Sequence, residues 1–580
     1  MTSPAIAPVA PPSATAPPPE GFWRREASHF PRPLSPMYRV HLGWMAAIWR
    51  NLATTHGLMF DGTDWREIDG WVYFRLVPIG GKDRKRPPLW LTWALVRVVP
   101  SMRRRLRTLS RAMKDDLPGQ YIDRWYDTWR PHQEETISRL RSVDLSALDD
   151  EACARHFEEC FAFGRDSIEI HFNLTLPVGT LAELAFACEE LLGWGEHEMV
   201  ELLAGLSRTS TEPARRLAAL AAMASDRPAV RKLLENAGTG TLARLEQADP
   251  EFAQAFHAYQ REFSGRALRY ELNEPTLEEV PALTLSLIHD QLVREYDPAA
   301  EERTLNEKRR QAIERAHSAL ASRPPADRQR FDHLLARAER YYPVREENEF
   351  FTISAPLAVM RYAALELGRR LAAKRLIAAP DDVFFLEFNE APRALREGRD
   401  CLDLVARRKA EREWTLAHPA QPSFGVDLSG EPPLKVLPPD AAFNLRAVLW
   451  VTDRIMGAEA PQPVAEAKPQ QITMLKGIPA APGRYAGPVC VIRDESEFNK
   501  IRAGDVLVCP ITSPVWSIIF PSVGALVTES GGVLSHPAII AREYGIPAVV
   551  ATRTATKVLK DGQQVLVDGK AGTVEVLSGP

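Results

Sequence analysis

Over most of the chain, apolar residues return every three or four positions with charged residues between them. In "FDHLLARAERYY", Phe331, Leu334, Leu335, Ala338, Tyr341 and Tyr342 fall on one stripe of period 3.6, with Arg and Glu opposite. The pattern predicts an amphipathic helix. Pro324 and Pro325 separate it from a charged helix carrying "TLNEKRRQAIERAHSALA". Another long helix is expected from about Ser354 to Ala373, where "ELGRRLAAK" is rich in good helix formers. "PDDVFFLEF", Pro380 to Phe388, then reads as a short β-like run. The helical rhythm runs from about Trp23 to Met456 with no fixed repeat, which disfavours a solenoid.

Beyond Met456 the pattern lapses. "GAEAPQPVAEAKPQQ", residues 457–471, has almost no anchoring residues and reads as an extended linker. After it come "GPVCVI", "DVLVCP", "GALVT", "PAVVA", "QQVLVDG" and "TVEVL", short β-branched runs divided by Gly, Pro and Asp. The expected architecture is multidomain. A large, mainly α-helical domain over 21–456 precedes the linker, and a small α/β domain over 472–580 follows it.

Size and composition refine this picture only slightly. A chain of 580 residues is too long for one core, and 45% hydrophobic with 26% charged residues is ordinary globular composition. The net charge of −4 gives no global attraction to nucleic acid or membrane. Residues 1–20 contain seven prolines and no Lys or Arg, so they read as a disordered tail and not as a signal peptide. Six scattered cysteines form no CxxC pair, and reduced thiols in a cytoplasmic protein are expected. The most membrane-like stretch, Leu89 to Val96, is far shorter than the ~20 residues of a spanning helix. Basic clusters flank it, "KDRKR" at 82–86 and "RRRLR" at 103–107. They are read as solvated faces; contact with a membrane surface, nucleic acid, phosphate or acidic partner is the alternative.

One short stretch carries chemistry. In "GGVLSHPAIIAREYGIP", Gly531 and Gly532 allow backbone conformations and close approaches barred to other residues. Ser535 or His536 is the N-cap, Pro537 suits the first turn, and Gly545 is the expected stop. His536 then stands where backbone N–H groups are unpaired and the helix dipole is positive. That field disfavours an imidazolium and suits a phosphoryl group attached to the ring. A neutral imidazole nitrogen is also a competent nucleophile toward phosphorus.

With "LKGIPAAPGRYAGPV" upstream and "ATKVLKDGQQVLVDGKAGTVEVL" downstream, "TESGGVLSHPAIIAREYGIPAVVAT" resembles the swivelling phosphohistidine domain of the PEP-utilising enzymes. That group includes phosphoenolpyruvate synthase, pyruvate phosphate dikinase and rifampin phosphotransferase. The resemblance covers about 473–580. It implies that His536 carries a phosphoryl group, supported by Thr528, Gly531, Gly532, Ser535 and Arg542, with Glu543 also in the following helix. Pro537 departs from the small residue found after the histidine in many members.

Earlier in the chain "FWRREASHFPRPLSPMY", "VREENEFF" and "ELGRRLAAKRLIAAPDDVFFLEFNEA" resemble the substrate-binding region of rifampin phosphotransferase-like proteins. This implies His29, Arg345, Glu346 and Asn348 as contacts with an acceptor or with the docked phosphohistidine. The plainer readings are a surface histidine and a solvated charged helix. In "FGRDSIEIHFNL", Asp166, Glu169 and His171 lie close together, but an Arg165–Glu169 pair is the expected role and no metal site is assigned.

Members of the group load the histidine from ATP on an ATP-grasp domain or from phosphoenolpyruvate on a TIM barrel. This chain has no G-x-x-x-x-G-K-[ST] loop, and its helical part lacks the strand–helix alternation of either donor domain. The donor site, with ATP and Mg²⁺, is therefore expected on a separate ATP-grasp or TIM-barrel subunit. Phenylphosphate synthase is the family precedent, its histidine-bearing subunit having this general layout. The resulting expectation is a cytoplasmic dikinase-type phosphotransferase subunit with a small, apolar or phenolic acceptor and neither nucleic acid nor membrane as partner. The alternatives are a phosphoenolpyruvate/pyruvate-type component, or a non-catalytic regulator switched by histidine phosphorylation.

Overall fold

The period-3.6 stripes become helices. Pro325–Glu349 is one helix that buries Phe331, Leu335, Ala338, Tyr341 and Tyr342. Pro298–Leu320 precedes it, and Ala355–Ala373 forms the next long helix. The computed structural model describes residues 20–578 apart from 28, 86, 295–296, 429–433 and 457–472. The linker expected at 457–471 and all but Glu20 of the expected tail thus lie outside the described residues. The chain is mainly helical up to Met456, and a small α/β part follows, as expected.

Two local expectations are corrected. The stretch Pro380–Phe385 is a 3₁₀ helix, not a strand: the Asp382 carboxylate accepts the Ala379 N–H at 3.1 Å, and Val383 and Phe384 turn inward. Proline at the first position and a carboxylate reaching back to the cap outweigh the β preference of Val-Phe-Phe. The strands of the helical part lie elsewhere, in a four-stranded sheet ordered β2-β3-β1-β4 (β1 Trp23–Arg25, β2 Gly62–Ile68, β3 Trp71–Val77, β4 Ser423–Phe424). Its hairpin turns on Asp69 and Gly70, both at positive φ, and Ile68 pairs with Trp71. Asp-Gly between alternating hydrophobics is the sequence signal for such a turn.

The chain forms two compact units. One comprises residues up to Leu176, Arg269–Glu274 and Phe351–Leu445; the other comprises Pro177–Leu268, Pro275–Phe350 and the residues from Arg446 on. In the first unit an aromatic interior surrounds His41, whose ring stacks on Tyr38 at 4.6 Å and whose pKa burial lowers to about 3. The pair expected between Arg165 and Glu169 does not form. Arg165 binds Asp166 at 2.8 Å, while His171 Nδ1 meets Thr352 Oγ1 at 3.2 Å.

The second unit holds an eight-stranded sheet, β5-β12-β11-β7-β8-β9-β10-β6 (β5 Met474–Lys476, β6 Ile478–Ala481, β7 Arg484–Val491, β8 Asp505–Cys509, β9 Val523–Thr528, β10 Ala548–Val550, β11 Gln564–Asp568, β12 Thr573–Ser578). Strands β7, β8, β9 and β10 run parallel. Side chains alternate across this core. Val506, Val508, Ala525 and Val527 enter one cluster, while Leu507, Cys509 and Leu526 enter another. The second cluster continues without a break into Leu217, Leu220, Leu285 and Ile288 of the helices Arg208–Ser225 and Pro281–Arg294. The α/β part is therefore docked on the 177–350 helices through a shared apolar core.

Among the described residues one helical stretch, Pro325–Ala373, is long and apolar enough to cross a membrane, but 78% of its apolar window is buried inside the protein.

Candidate active site around His536

Strand β9 ends at Thr528, and the chain passes through a short loop into the helix His536–Glu543 before returning as β10. This β-loop-helix-β step places the loop at the carboxyl ends of the parallel strands, where open α/β sheets bind ligands. The Thr528 hydroxyl donates to the Ser530 carbonyl at 2.7 Å, and the Thr528 carbonyl accepts the Thr552 hydroxyl at 2.7 Å. Gly531 has φ of +108°, which a side chain would strain. Ser535 is the N-cap, yet its hydroxyl donates to the Gly532 carbonyl at 2.6 Å and caps no helix N–H. The helix thus begins without a side-chain cap, which leaves its positive end to the groups nearby. Gly545, at φ +60°, ends it as expected.

His536 is held from one side. Its Nδ1 lies 3.0 Å from Oε2 of Glu346, whose side chain is 8% exposed. A carboxylate only accepts, so Nδ1–H donates and the lone pair is left on Nε2. Nε2 is shielded from solvent and has no hydrogen-bond partner among the described residues. One residue earlier on the same helix, the Arg345 guanidinium donates to the Leu534 carbonyl at 2.8 Å. Two of the residues expected to meet an acceptor or the docked histidine are thus gathered at His536. Asn348 is buried on that helix. His29 belongs to the first unit, where its half-exposed ring pairs with Glu26 at 3.1 Å.

Other partners carry no sequence signal. The carbonyl of Arg454, near the end of the helix Pro439–Met456, accepts the Leu534 N–H at 2.9 Å. A Cβ on Gly532 would come within 2.3 Å of that oxygen. The close approach anticipated at the glycine pair is therefore made by this chain's own backbone. At the far end of the histidine helix, Glu543 accepts the Gly205 N–H at 3.2 Å, and burial raises its pKa to about 8. Arg542, expected at the phosphoryl site, instead donates to the Ala480 carbonyl at 2.8 Å and ties the helix to β6. Arg266, fully buried and stacked on Phe350 at 4.2 Å, faces Glu346 electrostatically; burial lowers its pKa to about 10, so it remains a cation.

Residues 501–572 match the mobile domain of PEP-utilising enzymes, and residues 174–346 match the fourth domain of rifampicin phosphotransferase. The chain is 29% identical over 449 residues to an uncharacterized phosphotransferase, YvkC, of Bacillus subtilis, covering 76% of this chain and 51% of that one. It is 28% identical over 466 residues to a rifampicin phosphotransferase of Streptomyces, covering 77% and 50%. A phosphoenolpyruvate synthase of Aeropyrum pernix shares 39% identity over 171 residues, 29% of this chain and 20% of the relative. The resemblance read from the histidine motif is thus confirmed: the chain carries the mobile domain of the PEP-utilising enzymes together with a rifampicin phosphotransferase-like helical segment. It spans about half the length of the first and second of these relatives.

Proposed function

We propose that this chain is the acceptor-binding and carrier part of a dikinase-type phosphotransferase, with His536 Nε2 as the atom that is phosphorylated. The observation that carries the reading is Glu346 on Nδ1, which leaves the lone pair on Nε2 at an uncapped helix start. In the first step an ATP-grasp partner, binding ATP and Mg²⁺, supplies the β-phosphoryl group to Nε2. Water takes up the γ-phosphoryl, and AMP and phosphate leave. In the second step an acceptor hydroxyl attacks phosphorus and gives up its proton to water, the P–N bond breaks, and its electron pair returns to Nε2. Because Glu346 keeps the Nδ1 proton in place, histidine leaves as neutral imidazole. Arg345 and Arg266 offset charge, and positioning supplies most of the rate. The acceptor is a small apolar or phenolic hydroxyl compound bound by the helical part, a reading supported by the match to rifampicin phosphotransferase.

Shielding of Nε2 in the docked arrangement implies that loading requires the α/β part to leave the 177–350 helices. The test is labelling with β-³²P ATP, Mg²⁺ and an ATP-grasp partner. Acid-labile, alkali-stable label is expected on the wild type and is expected to be absent from His536→Ala. Equal labelling of both would refute the role of His536. Label obtained only from phosphoenolpyruvate would transfer the reading to the phosphoenolpyruvate synthase type, which the relative from Aeropyrum pernix favours. Stable label with no acceptor-dependent turnover would leave a regulator.

A further inference from the structure

The helices Leu89–Val98 and Pro100–Lys114 of the first unit expose what a core would bury. Leu89 is 51% exposed, Trp90 71%, Trp93 51% and Val98 72%. At 3.6 residues per turn, Leu89, Trp90, Trp93 and Arg97 fall on one arc of roughly 100°. Solvated tryptophans grouped in this way mark an interaction surface. In the second helix Arg103, Arg104, Arg107, Arg111 and Lys114 are all exposed and share an arc of the same width. Leu106 and Leu109 lie on its other side, clustered with Val96 of the first helix and with Leu437 and Ala441. Both helices are therefore anchored in one small core, and their remaining faces turn outward.

The charge is segregated. Residues 82–114 hold eleven Lys and Arg against a single acid, Asp83, in a chain whose net charge is −4. Asp83 is occupied by the Phe22 N–H at 2.9 Å and by Arg75. Arg105 serves the fold, bound to Asp61 and to the Leu58 and Phe60 carbonyls. By contrast, Lys82, Arg84, Lys85, Arg103, Arg104, Arg107, Arg111 and Lys114 make no ion pair among the described residues.

We propose that this surface seats the protein on an anionic membrane. Trp90, Trp93 and Leu89 enter the interfacial layer, and the flanking cations lie on the lipid phosphates. The first helix has ten residues, too few to span a bilayer but suited to lying within its interface. Tryptophan prefers that layer, and clustered Lys and Arg supply attraction to anionic headgroups. A lipid surface is favoured over nucleic acid because Leu89, Trp90 and Trp93 project between the two basic clusters, and contact with a phosphate backbone makes no use of such indole and aliphatic surface. It is favoured over an acidic protein because lysine is depleted from protein interfaces, whereas three of the unpaired cations here are lysines. The proposal is independent of the phosphotransferase reading.

The test is co-sedimentation of the full chain with vesicles of phosphatidylcholine alone or mixed with phosphatidylglycerol. Binding is expected only to the anionic vesicles and should weaken with salt. Trp90→Ser with Trp93→Ser should lower the partition coefficient about tenfold. Arg103→Ser, Arg104→Ser and Arg107→Ser together should lower it roughly a hundredfold. These side chains are exposed, and circular dichroism checks that each variant is folded. Equal pelleting of wild type and tryptophan variant, or binding to neutral vesicles as well, overturns the proposal. So does an absence of pelleting. In that case retention of the protein by heparin or by an acidic protein would reassign the surface to that partner class.

Discussion

Glu346 and His536 form a pair in which one hydrogen bond keeps the proton on Nδ1 and leaves the lone pair on Nε2 while the α/β part is docked. Glu346→Gln can present an amide N–H to Nδ1; with the phosphoryl group on Nε2, the Nδ1 proton is then no longer held and the ring must leave as the poorer imidazolate. The expected outcome is a fall in transfer to acceptor on the order of 10²–10⁴-fold, read by single-turnover chase of the phosphorylated protein. Stability should change little by comparison. Glu543 sets a pH dependence. Its carboxyl, pushed up to about 8 by burial against Gly205, has an ordinary pKa of 4.5 when exposed. A raised acid favours the buried, protonated state fully below the exposed value and loses that advantage as pH rises through the buried value. Docking of the α/β part should thus weaken between about pH 5 and pH 8 and level off above that range. Hydrogen exchange of the Gly205 amide, whose N–H Glu543 accepts, across this range would measure it. Glu543→Gln should flatten the profile.

At the scale of the element, the loop from Thr528 to Ser535 is shaped by its own hydrogen bonds and by the helix Pro439–Met456 pressed against it. Gly532 admits the Arg454 carbonyl, and the Arg454 backbone occupies the space an added methyl would need. Gly532→Ala should disfavour the docked arrangement by about 1–3 kcal/mol while leaving the eight-stranded sheet intact. Exchange protection should fall in the helices Arg208–Ser225 and Pro281–Arg294 and persist in β8 and β9. Uniform loss of protection would mean that the glycine serves the sheet itself. Arg345 braces the same loop from the other side, so its role is positioning as well as charge.

At the scale of the whole molecule, an apolar core joins the sheet to the 177–350 helices and Nε2 is shielded beside it, so the proposed function predicts that this core opens for loading. Ser522 Oγ stands 3.5 Å from Asp290 across that boundary. Cysteines at these two positions should form a disulfide that holds the docked state. The six native thiols are all buried, so they should not compete. Oxidised Asp290→Cys/Ser522→Cys protein is expected to lose labelling by the donor, and reductant should restore it. Undiminished labelling of the oxidised protein would show that loading takes place without undocking.

Several features were legible in the chain alone. The period-3.6 stripe that buries Phe331, Leu335 and Tyr342, the β-branched runs of the α/β part, and the Gly-Gly…Ser-His string before a helix all follow from local sequence. Periodicity and turn chemistry are local, so a short window contains them. The Asp69-Gly70 hairpin was equally local and was hidden by the helical rhythm around it. The Val-Phe-Phe run at 383–385 is turned into a 3₁₀ helix by Pro380 and the capping carboxylate of Asp382, a local signal that the β preference of the run masks. Glu346 is 190 residues from His536, and Gly205 is 338 from Glu543. Only the tertiary structure could supply these pairings, because a charged residue on a helix looks the same from sequence whether solvent or a histidine faces it. The sequence by itself therefore determined the family motif, the proposed carrier His536 and the helix it starts. What holds Nδ1 of that histidine, and what shields Nε2, was decided by packing between segments far apart in the chain.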